Sequence, residues 1–85
     1  MTMRIRSDVS TTRTEYGTIL LDERTSRYWQ LTATAGEVLD AIAAGEGADG
    51  AVRRLTDRYS VAPETATKDV DALLDKLRTI GVVTP

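Results

Sequence analysis

The side chains in this sequence that could do chemistry are few in kind. There are thirteen Asp and Glu, eleven Lys and Arg, three Tyr and one Trp, with no His and no Cys. Their absence removes the Ser-His-Asp triad, the thiolate nucleophile and the Cys/His zinc site. Asp71 and Asp75 lie one helical turn apart and could form a carboxylate pair. That spacing ordinarily decorates a solvated helix face. Asp69-Val70-Asp71 is no calcium loop, because it lacks the glycine at the sixth position and sits in a helical pattern. Gly36, Gly45, Gly47, Gly50 and Gly81 are isolated or in turns, so no loop cradles a phosphate. The expectation is a protein without catalytic residues, metal or cofactor.

Recognition chemistry remains. Arg27-Tyr-Trp-Gln-Leu31 is a short β-type segment with two adjacent aromatics, placed where a sheet would end. An edge strand offers unpaired N–H and C=O groups, and proteins usually blunt it with Lys, Pro or a bulge. Arg27 and Gln30 are its only polar residues and no proline protects it. Such an edge can accept an incoming strand, with pockets for alternate side chains. Tyr28 and Trp29 could equally be ordinary sheet aromatics.

The elements that must position this edge follow from periodicity. One strand is expected within residues 3–14, where Met3, Ile5, Val9 and several threonines alternate with charged residues. Gly17 marks a turn or bulge. Thr18–Leu21 and Arg27–Leu31 then form a hairpin about the polar Asp22–Ser26. Thr34 and Glu37 fit a capping box, followed by Ala35, Val38, Leu39 and Ile42 at helical spacing, with Gly45 as the stop. A second helix is expected over about Asp49–Tyr59, capped by Asp49, with Val52, Leu55 and Tyr59 on one stripe. Pro63 and Glu64 open a third helix and Gly81 closes it. Ala66, Val70, Leu73, Leu74, Leu77 and Ile80 form its apolar stripe, and Val82-Val83 make an extended tail. Strands followed by three helices predict a small α+β domain of winged helix-turn-helix type.

That architecture raises DNA binding as an alternative. The would-be recognition helix carries Glu64, Asp69, Asp71 and Asp75 against Lys68, Lys76 and Arg78, a balance of −1. Phosphates and base edges call for the opposite sign. The whole chain is −2 at neutral pH.

Gly17-Thr-Ile-Leu-Leu-Asp-Glu-Arg-Thr-Ser-Arg-Tyr-Trp-Gln-Leu31, with Thr34 and Gly36 at the helix start, resembles the PqqD-like family. So do Tyr59-Ser-Val-Ala-Pro63 and Asp69-Val-Asp-Ala-Leu-Leu74. Members are RiPP recognition elements, which capture the leader region of ribosomally made precursor peptides. The short form is most similar to the leader-binding proteins of lasso-peptide biosynthesis. The resemblance implies a three-stranded antiparallel sheet followed by three helices, with the leader added as a fourth strand. It places the leader along Arg27, Tyr28, Trp29, Gln30 and Leu31, facing Asp69, Val70, Leu73, Leu74, Lys76 and Leu77 of the third helix. Leu73 and Leu77 would line an apolar cleft suited to tyrosine and proline anchors, and Asp69 would either read a donor or a basic side chain or serve only as a solvated helix-face charge. The implied partners are the precursor leader, a separate leader peptidase and a macrolactam-forming cyclase, with no nucleic acid or membrane. Two positions depart from the family pattern: Ser26 replaces the usual hairpin glycine, and Thr32 stands where Asn or Asp is common. Neither is expected to touch the cleft.

Eighty-five residues suffice for one compact domain with a thin core. Residues 1–85 are therefore expected to form a single domain. No segment has the apolar core of a signal peptide or the length of a membrane span, so the expected compartment is the cytoplasm.

Overall fold

Alternation along one strand organises the sheet. Thr18, Leu20 and Asp22 are buried, while Leu21 between them is exposed, as expected for a strand with one face on a core. In the computed structural model, which describes residues 3–84, this strand is β3 (Gly17–Asp22). It lies between β2 (Val9–Thr14) and β4 (Arg27–Leu31) in an antiparallel sheet ordered β2-β3-β4. Cross-strand partners are Thr11, Leu20 and Trp29 at the centre, and Arg13, Thr18 and Leu31 at one end. Residues 1, 2 and 85 of the expected domain lie outside the described residues.

The first strand is not continuous as expected. Residues 3–14 divide into β1 (Arg4–Ile5) and β2, and β1 pairs antiparallel with β5 (Val83–Thr84) in a separate two-stranded sheet. Arg6 stands at the break. Its guanidinium donates to Asp8 (2.9 Å), to Asp22 (2.9 Å) and to the Gly81 carbonyl (2.6 Å), holding three distant segments together.

Both hairpin turns have local causes. Thr14 and Gly17 are partners across β2–β3, and a Cβ on Gly17 (φ +145°) would sit 2.1 Å from the Leu31 carbonyl oxygen. Only glycine fits there. Between β3 and β4, Asp22 accepts from the Arg24 N–H at 3.0 Å, and Ser26 takes a left-handed φ of 60°. Ser26 thus adopts a conformation that glycine would reach at less cost.

Three helices follow: α1 (Ala33–Ala43), α2 (Gly47–Tyr59) and α3 (Pro63–Thr79). The Thr34–Glu37 capping box is not formed. Thr32 is the N-cap, and its Oγ1 accepts from the Ala35 N–H at 3.2 Å. Glu37 instead faces α2, 2 % exposed, and accepts from Arg54 (2.8 Å) and Arg58 (2.6 Å). A carboxylate with two guanidinium partners across a helix interface gains more than one capping a single N–H. Asp49 is also not a cap: α2 begins at Gly47 after Glu46, and Asp49 lies in its first turn. Tyr59 ends that helix in line with buried Ala51 and Leu55 but is itself 39 % exposed.

α3 matches its expected limits. Pro63 is in the first turn, and Gly81 (φ +84°) turns the chain so that its N–H and that of Val82 both donate to Leu77 O at 3.1 Å. The core gathers Leu20 from the sheet, Val38, Leu39 and Ile42 from α1, Leu55 from α2, Val70, Leu74 and Leu77 from α3, and Val82 and Val83 from the tail. No helix among the described residues is long and apolar enough to cross a membrane.

Candidate functional site: a strand edge beside a helix groove

β4 is hydrogen-bonded to β3 on one side only, and register shows which of its groups are left over. Glu23 N–H donates to the Asp8 carbonyl at 2.9 Å, so Asp8 and Glu23 form a hydrogen-bonded pair. Antiparallel ladders alternate such pairs with non-bonded ones. Carried along the β2–β3 register, Ser10–Leu21 and Thr12–Ile19 are also bonded pairs. The backbone groups of Thr18, Leu20 and Asp22 therefore turn the other way, toward Leu31, Trp29 and Arg27. That leaves the N–H and C=O of Tyr28 and Gln30 pointing at the free edge. Four ladder groups stand open over three residues.

Just past this strand, at Thr32, the chain meets α3 across a cavity. A cavity of about 270 Å³ is lined by Thr32, Thr34, Ala35 and Val38 from the start of α1, Leu55 and Val61, and Asp69, Ala72 and Leu73 from α3. Val38 and Leu55 are almost fully buried and form the floor, while Leu73 and Val61 are half-buried walls. Trp29 and Leu31, on the inner sheet face, are likewise half-buried against the core. α3 passes from the Thr32 end of β4, marked by Asp69 at the cavity, toward the Arg27 end. There the Arg6 bridge joins Gly81, just past α3, to Asp22, the partner of Arg27. An apolar floor next to an open strand edge can take an extended chain, with alternate side chains turned inward.

The residues expected at the site fall into three groups. Asp69 and Leu73 line the cavity, Trp29 and Leu31 are half-buried against the core on the inner sheet face, and exposed Lys76 lies on the same stripe of α3, one turn beyond Leu73. Arg27, Tyr28 and Gln30 are exposed, with Tyr28 71 % accessible on the outer sheet face, so Tyr28 and Gln30 offer the edge their backbone and not their side chains. Val70, Leu74 and Leu77 are at most 2 % exposed and belong to the core. Leu77, 1 % exposed, packs in the core and is not among the residues lining this cavity. The apolar stripe of α3 is wider than the groove, and only its half-buried margin at Leu73 reaches the cavity.

Several cavity residues escaped the sequence reading. Thr32 lines the cavity and caps α1, contrary to the expectation that it lies apart from the cleft. Thr is among the preferred N-cap residues, so the capping role was legible from residue type. Val61 and Ala72 carry no such signal, since both read as ordinary small or apolar residues.

Ion pairs hold the walls in place. Arg54 donates to both oxygens of Glu46 (2.9 and 2.7 Å) as well as to Glu37, fastening the start of α2 to α1. The Arg54 hydrogen bonds keep the Glu46 carboxyl below its ordinary range. Hydrogen bonding from Arg6 lowers Asp8 in the same way. For Asp22, burial pushes upward, but the Arg24 and Thr25 N–H groups and the Arg6 charge together outweigh it and hold the group low.

A winged-helix-type α+β fold with one open sheet edge alongside a helical groove is the class this geometry defines. A profile of the family described as coenzyme PQQ synthesis protein D (PqqD) matches residues 17–83. The chain belongs to the PqqD family. It is similar to a solved structure described as lasso peptide synthetase B1 complexed with the leader peptide, at 33 % identity, covering 100 % of both chains, with a TM-score of 0.86. A second similar structure, TbiB1 in complex with the TbiA(β) leader peptide, is 21 % identical and covers 94 % of this chain and 93 % of that one. Its TM-score is 0.84, and at that identity it supports the fold alone. No curated protein matches the sequence.

Proposed function

We propose that this chain is a non-catalytic recognition protein that captures the leader region of a ribosomally synthesised precursor peptide and presents it to the enzymes of lasso-peptide biosynthesis. One observation carries the reading. The Tyr28–Gln30 edge is open and a cavity floored by Val38 and Leu55 begins at Thr32, just past that strand, in a fold whose 33 % identical match is described as complexed with a leader peptide. The leader joins the sheet as a fourth strand next to β4, with alternate side chains entering the groove against α3. A disordered leader loses about 2–5 kcal/mol of the gross interaction on ordering. Four ladder bonds and one or two apolar anchors in a cavity of this size can offset that cost. The chain works as one cytoplasmic domain, delivering the bound leader to a separate peptidase and to the cyclase that closes the macrolactam. DNA binding is disfavoured by charge, because α3 presents Glu64, Asp69, Asp71 and Asp75 against Lys68, Lys76 and Arg78, a balance of −1.

The test is calorimetric titration with a synthetic leader of the cognate precursor peptide. Saturation at one peptide per chain, with a matching change in the emission of Trp29, is expected. A leader that produces no heat and no spectral change at millimolar concentration removes the proposal.

A further inference from the structure

α3 is held to the rest of the molecule in two different ways. Along its length it packs mainly on α2 through apolar side chains, with Val70, Leu74 and Leu77 in the core. Such contacts are strong in sum but have no direction. Among the described residues, no side-chain hydrogen bond or ion pair runs from α3 to a strand or to another helix. Arg78 turns back to Asp75, and Thr67 and Thr79 donate to carbonyls of α3 itself. Directional ties begin only past its end. The Arg6 N–H donates to Val82 O at 3.0 Å and the Arg6 guanidinium to Gly81 O at 2.6 Å, while its other nitrogens reach Asp22 and Asp8. Asp22 is the cross-strand partner of Arg27, the first residue of β4. Among the described residues, Arg6 is thus the only polar side-chain link between the end of α3 and the three-stranded sheet.

This link is a poor choice for stability alone. The Arg6 and Asp22 side chains are 16 % and 3 % exposed, and a shielded ion pair loses in desolvation much of what it gains in attraction. Its contribution is geometric, because a planar guanidinium shared among acceptors on three segments tolerates little displacement of any of them. At the opposite end, by Asp69, α3 faces the start of α1 across the unfilled cavity. Arg6 also lies outside residues 17–83, the stretch that the family profile matches. Resting on the leader-capture reading, we infer that Arg6 is a positioning residue for leader binding, which through Asp22 and Gly81 holds α3 at the separation from β4 that a docked leader requires, without itself touching the leader. Breaking the link leaves the open edge of β4 and the cavity residues in place but lets α3 shift. Only a fraction of folded molecules then presents strand and helix together, and apparent affinity falls by that fraction. The fall is in association, since the docked complex is unchanged, whereas a lost contact acts mostly on dissociation.

The experiment follows Trp29 emission by stopped flow as a synthetic leader of the cognate precursor peptide binds the wild type and three variants. Arg6→Met combined with Asp22→Asn breaks the link without leaving an unpaired buried charge, and an amide oxygen at position 22 still accepts from the Arg24 N–H. Asp22→Asn alone weakens the same link. Asp8→Asn removes only the bond between Arg6 and its near neighbour, leaving the ties to Asp22 and Gly81. Each variant is first checked for native circular dichroism and cooperative melting. The double variant should associate about five-fold more slowly, with a dissociation rate within about two-fold of wild type. Asp22→Asn should lose about half its association rate, and Asp8→Asn should match the wild type. A wild-type association rate in the folded double variant, or in Asp22→Asn should the double variant not fold, assigns Arg6 to stability alone and overturns the proposal. An equal loss in Asp8→Asn, or a loss carried by faster dissociation, also overturns it. All three of these outcomes leave leader capture intact, whereas a leader that fails to bind the wild type overturns leader capture and the positioning role with it.

Discussion

Selective methylation of the leader backbone discriminates strand addition from capture by side-chain pockets. Register leaves Tyr28 and Gln30 as the β4 residues whose N–H and C=O face outward. An antiparallel leader would exchange two hydrogen bonds with each of them, four in all. Methylating the two leader nitrogens opposite Tyr28 and Gln30 removes two donors and strands two carbonyls. Each net hydrogen bond contributes about 0.5–1.5 kcal/mol, so the direct loss is about 1–3 kcal/mol. The methyl groups also hold the strands beyond their normal spacing of about 4.8 Å, which weakens the remaining two bonds. A total of at least 2 kcal/mol corresponds to roughly thirty-fold in Kd. Methylating the two intervening nitrogens, which point away from β4, should change Kd by less than about three-fold, since no ladder bond is lost. Trp29 is the only tryptophan and sits in β4, so its emission reports both titrations. Equal losses from the two methylation patterns, or none from either, would refute the ladder.

Leu73→Asp should leave the fold intact and reduce leader affinity at least ten-fold, because Leu73 is half-buried at the cavity. Leu77→Ala, one turn on, should cost about 2–5 kcal/mol of stability, a large share of the roughly 4–13 kcal/mol expected for a domain of this size. Chemical denaturation and leader titration of both variants separate support from contact, and a stable Leu77→Ala protein would contradict the core assignment. Thr32→Ala should destabilise by about 1 kcal/mol through loss of the α1 cap, whereas Thr34→Ala should leave denaturation within about 0.5 kcal/mol of wild type. The reverse order would restore the capping box. Asp8, Asp22 and Glu46 are held below their ordinary values, so the stability they contribute is present above a pH of about 4 and is lost as pH falls further. Melting temperature should be flat from pH 7 to about 5 and drop below 4, and Arg6→Gln should lower the plateau and shallow the drop. A wild-type acid limb unchanged in Arg6→Gln would remove Arg6 as its cause.

Local grammar carried much of this protein in its sequence. Pro63 and Gly81 bound α3 because one lacks the N–H that a first helical turn does not use and the other accepts a positive φ without a Cβ clash. The hairpin was legible from two β-type runs about a polar cluster, and the edge strand from its place at the end of the meander. The motif resemblance pointed to the family that the match over residues 17–83 shows. Tertiary packing decided what short-range patterns leave open. Arg4–Ile5 meets Val83–Thr84 across nearly the whole chain, a pairing no local window contains. Thr32 and Thr34 are equally good caps by type, and α1 starts from Thr32 because the β4 register ends at Leu31 and Glu37 is drawn to the α2 arginines. Leu73 and Leu77 share one apolar stripe, and periodicity cannot say which edge of it meets the core. Leu77 is covered by the rest of the core, whereas Leu73 stands half-open because Ala72 beside it and Val61 opposite leave a cavity unfilled. A helix face has a direction in sequence, but its neighbours exist only in three dimensions.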